Sequence, residues 1–189
     1  MTALRAGISK HTLPCGAGFP RNLTREELVA AFGVAEISAV KVFGAEGEGP
    51  TQMDTILFGK KPADRIQISW KDDKAGVGVE SISIADGSKW HGPGGVHSGS
   101  TLVEIEKANG KTFTFHGLGW DYGGVYHWND GLFDGKLSGC AVEIEFAENP
   151  TVPQDVTDKV EGEREFQSND PILRAANPIA IGITVLSDQ

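Results

Sequence analysis

Basic residues are in short supply in this chain: 17 lysines and arginines stand against 26 aspartates and glutamates, giving a formal net charge of −9 and a pI near 5.0. A field of that sign repels phosphate backbones, which removes nucleic acid from the expected partners. Long apolar runs are missing too. No stretch of about 18 apolar residues exists, so no transmembrane segment is expected. The opening MTALRAGISKHTL lacks the apolar core of an export signal. Either the protein is cytoplasmic, or its first Met stands where a signal peptide has been removed. Cysteine is limited to Cys15 and Cys140, too far apart for a CxxC redox or zinc motif. They are either two unlinked thiols or a bridge tying the N-terminal segment to a sheet, which only an oxidising compartment would keep. HExxH, GxSxG and a D-x-D-x-D-G ladder are all absent, and with them the signatures of a zinc hydrolase, an α/β-hydrolase and a calcium loop. No metal and no cofactor is expected.

What the chain has is glycine, 25 residues of it, clustered between short apolar runs as turns of a β-rich fold would place them. The 189 residues suit one compact unit or two small ones sharing a sheet, and a chain of this size buries roughly 70% of its unfolded surface without a metal or disulfide.

Two stretches carry the same helix signal. Thr24 and Glu27 make a T-x-x-E capping box, Leu28, Ala31 and Phe32 share a face, and Gly33 is placed to stop the helix. The same residue types explain Asn22-Leu23-Thr24 better as a helix start than as a glycosylation sequon. Thr101 and Glu104 make the second box, closed by Gly110. At one common offset Leu28 matches Ile105 and Ala31 matches Ala108. At an offset one residue smaller, RIQISW (65–70) lies over AVEIEF (141–146), both with apolar residues at positions two, four and six. Two segments in one order favour an internal duplication. The expected fold class is therefore α+β: two copies of a helix followed by about three antiparallel strands, forming one curved or two abutting sheets. Residues 1–84 hold the first copy with an irregular lead-in, and residues 85–147 the second. Residues 148–189 hold a polar, proline-punctuated loop or linker, a short helical turn and an apolar strand, PIAIGITVL.

Within those copies, ISAVKVF, MDTILF, RIQISW and VGVESISI read as strands. Alternation sets Ile66, Ile68 and Trp70 on one face of RIQISW and Arg65, Gln67 and Ser69 on the other. The loop GAEGEGPTQ has glycines but acidic residues and no lysine, against a phosphate cradle. The loop from 85 to 100 is long enough to need a reason and carries Trp90, His91 and His97. An H-x5-H pair without an acidic or cysteine partner makes a poor zinc site.

Two constellations could carry function. Asp121, Tyr122, His116 and His127 cluster around Trp120 and Trp128, and a histidine–aspartate pair could do acid–base work. Asp121 before Tyr-Gly-Gly is equally an ordinary turn residue. The second constellation is aromatic: Trp90, Trp120, Tyr122, Tyr126 and Trp128 all sit in or beside glycine-rich turns. Such residues either close the end of a core or make a rigid amphipathic surface for a protein or glycan. Tyr126 and Trp128 are the surface candidates, whereas Trp70 belongs to the core.

At GLGWDYGG, with the preceding TLVEIEKANGKTFTF, the sequence resembles an uncharacterised family of exported bacterial proteins with a GFGWDYGG-like core. The resemblance runs over most of the chain, including SNDPILRAANP. It implies export and a signal peptide already removed, and it implies no particular activity. More remotely, the T-L-x-E-(V/I)-E helix and its sheet are similar to the tandem repeats of β-lactamase inhibitor protein and of the SmpA/OmlA outer-membrane assembly lipoproteins. Those repeats set a helical segment against an antiparallel sheet and act by binding proteins. This chain reads as one helix per repeat, has no lipobox cysteine and has no disulfide inside each repeat, so no functional residue is carried over. The expectation is a non-enzymatic protein-binding module of the cell envelope, periplasmic or secreted. The alternative is a small hydrolase or carbohydrate-binding protein using the Asp121, His116 and His127 region.

Overall fold

A computed structural model of the chain describes residues 10–13, 15–16, 19–43, 51–119, 124, 126–136 and 139–187, with the backbone alone for Tyr126 and Cys140. Both capping boxes form. Thr24 accepts from the Glu27 N–H at 3.1 Å, and the Glu27 carboxylate accepts from the Thr24 N–H at 3.0 Å, opening α1 (Arg25–Phe32). Thr101 and Glu104 repeat the exchange at 3.4 and 2.8 Å, opening α2 (Leu102–Asn109). Each box satisfies two N–H groups that a helix start otherwise leaves unbonded. Gly110 ends α2 in the left-handed region, φ 75° and ψ 0°, as a glycine stop requires.

After α1 come β1 (Ile37–Val42), β2 (Gln52–Leu57), β3 (Ile66–Asp72) and β4 (Val77–Ile84), an antiparallel meander. After α2 come β5 (Thr114–His116), β6 (Tyr126–His127) and β7 (Cys140–Ala147), then α3 (Gln154–Thr157), β8 (Glu165–Gln167), α4 (Pro171–Ala176) and β9 (Ile179–Ser187). Six strands make one sheet in the order β1-β2-β3-β4-β9-β7, and three make a second in the order β6-β5-β8, every described pairing between named strands being antiparallel. The class is α+β.

The strands after the two capped helices go to different places. β1 to β4 all join the large sheet. β5 and β6 enter the small one, and AVEIEF, as β7, returns to the large sheet beyond β9. PIAIGITVL takes the position beside β4, with Val185 opposite Ile82 and Ile183 opposite Ile84. The segment from 148 to 170 is not a solvated linker. It contains α3 and β8 and buries Thr157, Val160, Phe166 and Ser168. Its sparse apolar residues close over the small sheet: Leu118 N–H donates to Val160 O and Gly162 N–H donates to Leu118 O, both at 2.9 Å. The chains approach so closely there that a Cβ on Gly117 would overlap the carbonyl oxygens of Val160 and Gly162.

One apolar core lies under one face of the large sheet. Leu57, Ile66, Ile68, Trp70, Ile82, Val142, Ile183 and Val185 meet Leu28 of α1, Leu102 and Ile105 of α2, and the aromatic group Phe113, Phe115, Trp128 and Phe133. Burial of this continuous apolar surface is the main term holding sheet and helices together. Cys15 is disulfide-bonded, and the chain's other cysteine, Cys140, is the first residue of β7. Among the described residues no helix is long and apolar enough to cross a membrane.

Candidate functional site

The large sheet's other face is polar. Registry alone puts Gln67 of β3 opposite Ser83 of β4, Ser83 opposite Thr184 of β9, and Thr184 opposite Glu143 of β7. Four side chains from four strands therefore form one row, and the Ser83 and Thr184 hydroxyls are hydrogen-bonded at 2.9 Å. Glu145 follows two residues along β7, opposite Gly182. That glycine has no side chain to displace the Glu145 carboxylate, which lies where a Cβ would come within 2.9 Å of it. Arg65, Ala85, Asp86 and Gly124 complete the rim of a groove of about 750 Å³. Among the described residues, none of the lining comes from a helix.

One end of this face holds an unusual carboxylate. Asp54 of β2 is 2% exposed and accepts from Gln67 Nε2 and Ser69 Oγ, each at 2.7 Å, through one oxygen. Its other oxygen is buried without a hydrogen-bond partner. Leaving a buried acceptor unbonded costs free energy. Asp54 thus fixes the Gln67 amide at the groove's edge.

The residues expected to form a binding surface are dispersed. Trp90 is buried, with its indole N–H donating to Asp64 O at 2.9 Å, so it anchors the 85–100 loop to the body rather than facing a partner. That loop owes its length to packing: a Cβ on Gly94 would touch Ala108 of α2 at 3.0 Å, and Ser98 donates to Asp86 at 2.6 Å. Trp128 is also core. It meets Phe113 and Phe133 edge to face at 4.8 and 5.0 Å and donates to Val142 O at 2.7 Å. Both tryptophans satisfy their one polar atom on backbone carbonyls, which lets the ring go inside. Tyr126 is in β6 opposite Phe115. Trp120, Asp121 and Tyr122 lie outside the described residues.

The histidines expected beside Asp121 are placed on the small sheet. His127 stands opposite Thr114, which in turn stands opposite Gln167, and His116 stands opposite Glu165. His116 Nε2 comes within 3.2 Å of Glu165 Oε1, an ion-pair distance, yet without the alignment of a hydrogen bond. Glu165 is 71% exposed, whereas the His116 ring is largely covered and its Nε2 is buried without a hydrogen-bond partner. His91 and His97 meet edge to face at 5.0 Å, but no group of three or more metal-ligating residues forms among the described residues.

The polar row was visible in sequence as alternation. Arg65, Gln67 and Ser69 share a face by period two, and Ser81 with Ser83 and Glu143 with Glu145 follow the same rule. Only the strand order, which sets β9 between β4 and β7, joins them. Compared with protein-family models, with curated proteins and with solved structures, the chain matches none.

Proposed function

We propose that this chain is a non-enzymatic binding module of the bacterial cell envelope, periplasmic or secreted, and that it holds a protein partner against the polar face of its large sheet. The observation that carries the reading is the groove over β3, β4, β9 and β7, a floor four strands wide that no helix lines among the described residues. A sheet face left uncovered in this way offers a broad, shaped surface. Glu143, Glu145 and Asp86 outnumber Arg65 around it, so the complementary surface is one that presents lysine or arginine side chains. The disulfide at Cys15 supports an oxidising compartment, and with it export. The recurrence of the capped helix and of the RIQISW/AVEIEF pattern supports descent of both halves from one helix-plus-strands unit, the second of which now divides its strands between two sheets.

A second reading, a small hydrolase or glycan-binding protein, rests on the approach of His116 to Glu165 together with His127 on the same face of the small sheet. Envelope extract passed over three immobilised proteins separates the two. Wild type retains a protein that Glu143→Arg/Glu145→Arg loses and that His116→Ala/Glu165→Ala keeps. Equal retention by all three, or loss from the histidine variant alone, contradicts the groove reading.

A further inference from the structure

β1 is one edge of the large sheet, and among the described residues no strand lies on its far side. Phe58 N–H donates to Glu36 O at 2.8 Å, extending the β1–β2 ladder in which Ser38, Val40 and Val42 face Ile56, Asp54 and Gln52. In an antiparallel ladder the residues that bond to a neighbour alternate with residues whose N–H and C=O point away. Glu36, Ser38, Val40 and Val42 are therefore the inward set. Ala39 and Lys41 aim both backbone groups outward, as does the carbonyl of Ile37, whose N–H is taken by Val34 O. No described backbone group bonds to the outward set. The opposite edge differs, since β7 receives the Trp128 indole on Val142 O.

Edges of this kind are ordinarily protected by proline, a bulge or several charges. β1 has no proline and no register shift against β2, and its one charge is Lys41. Large apolar side chains flank it: Val34 is 74% exposed, Phe43 60% and Met53 37%. Exposed apolar groups gathered beside unpaired backbone mark an interaction surface.

We propose that β1 is a dimer edge, where two copies of this chain pair β1 with β1, antiparallel about a two-fold axis at Val40, into one continuous sheet. Continuation of the sheet with its faces aligned sets odd residues opposite odd and even opposite even. Centred on Val40, the pairing sets Ala39 opposite Lys41, Ser38 opposite Val42, and Ile37 opposite Phe43 of the other copy. Lys41 never meets itself, Phe43 gains an apolar neighbour, and Val40 meets Val40, a β-branched pair of the kind that stabilises sheets. A foreign strand would have to supply that complement, whereas the chain already carries it. This dimer leaves the polar groove at the other end of the sheet free and stands or falls apart from it.

Sedimentation velocity on the full chain, over about two decades of micromolar concentration, reads the association directly. Wild type is expected to pass from one copy to two. Ala39 is exposed, so its substitutions leave the fold intact, which equal denaturation midpoints would verify. Ala39→Lys sets a lysine opposite each Lys41 and weakens the dimer roughly tenfold or more, while Ala39→Glu creates two opposite-charge pairs and tightens it. A wild type that stays monomeric, a dimer indifferent to Ala39→Lys, or an Ala39→Glu variant that dissociates as readily as Ala39→Lys each overturns the proposal.

Discussion

Both sheets turn polar rows outward, and the groove lies over the large one. On the small sheet, His127, Thr114 and Gln167 form one row and His116 with Glu165 the next, on strands of two or three residues. Strands that short give side chains to solvent and no floor to stand on. On the large sheet, Gln67, Ser83, Thr184 and Glu143 span four strands of seven to nine residues, and Asp54 is buried beneath the same face. The difference is one of width. Polar residues at period two say only that a face is open, whereas four such strands side by side make a surface large enough to hold another molecule.

That contrast can be broken first where the small sheet is fastened. Asn109, buried at the end of α2, donates to Trp128 O and Lys111 O, both at 3.0 Å, and accepts from Phe133 N–H at 3.1 Å. The fit is tight enough that a Cβ on Gly131 would overlap its carboxamide. Asn109→Ala removes three hydrogen bonds and strands the buried Phe133 N–H, while Trp128 O keeps the Gly131 N–H, so a loss of about 3 kcal/mol is expected in chemical denaturation. Partner capture by whatever folded protein remains should be unchanged, because the groove is elsewhere.

A smaller effect is expected beneath the groove. Asp54→Ala removes the acceptor for Gln67 and Ser69 and should cost about 2 kcal/mol. Asp54→Asn keeps an oxygen for those donors and removes a buried charge, so it should restore most of the loss. Partner affinity should fall in the alanine variant, where Gln67 is no longer held, and recover in the asparagine variant. Equal affinity in both would separate Asp54 from the site.

The smallest effects belong to the caps. Thr24→Ala and Thr101→Ala should each cost about 1 kcal/mol. The second cap is also sensitive to pH. The Thr101 N–H, with the Thr101 hydroxyl and the nearby His97, holds the Glu104 carboxyl below its ordinary value of 4.5, against the opposing effect of partial burial. A carboxylate whose pKa is depressed on folding stabilises above the unfolded value and loses that contribution as pH falls through the folded one. Glu104→Gln should therefore be less stable than wild type at neutral pH, and the gap should close in titrations carried below about pH 4. The effect is small because Glu104 is largely solvated.

How much of this was legible follows the range of each interaction. Capping boxes act over three residues, and Thr24, Glu27, Thr101 and Glu104 declare them in sequence. VGVESISI declares β4 residue for residue, and the NDG turn appears with Asn129 and Asp130 at φ 52° and 57°. Which strands become neighbours depends on contacts across the whole chain. Nothing local in PIAIGITVL says that it separates β4 from AVEIEF. Trp90 and Trp128 look like surface residues because glycines surround them, yet each finds a carbonyl for its indole N–H, from Asp64 and Val142, far away in sequence. The groove was half legible: the alternating polar residues were apparent, and their union was not.

The most direct test is an NMR titration of the wild-type chain with a short extended peptide rich in lysine and arginine. The Gln67 side-chain amide and the backbone amides of Ser83, Gly182 and Thr184 would serve as reporters. Saturable shifts confined to those reporters, and abolished by Glu143→Gln/Glu145→Gln, are the predicted result. Shifts that cluster at His116 and Glu165, or that persist unchanged in the double variant, would contradict the assignment of the large sheet's polar face as the binding site.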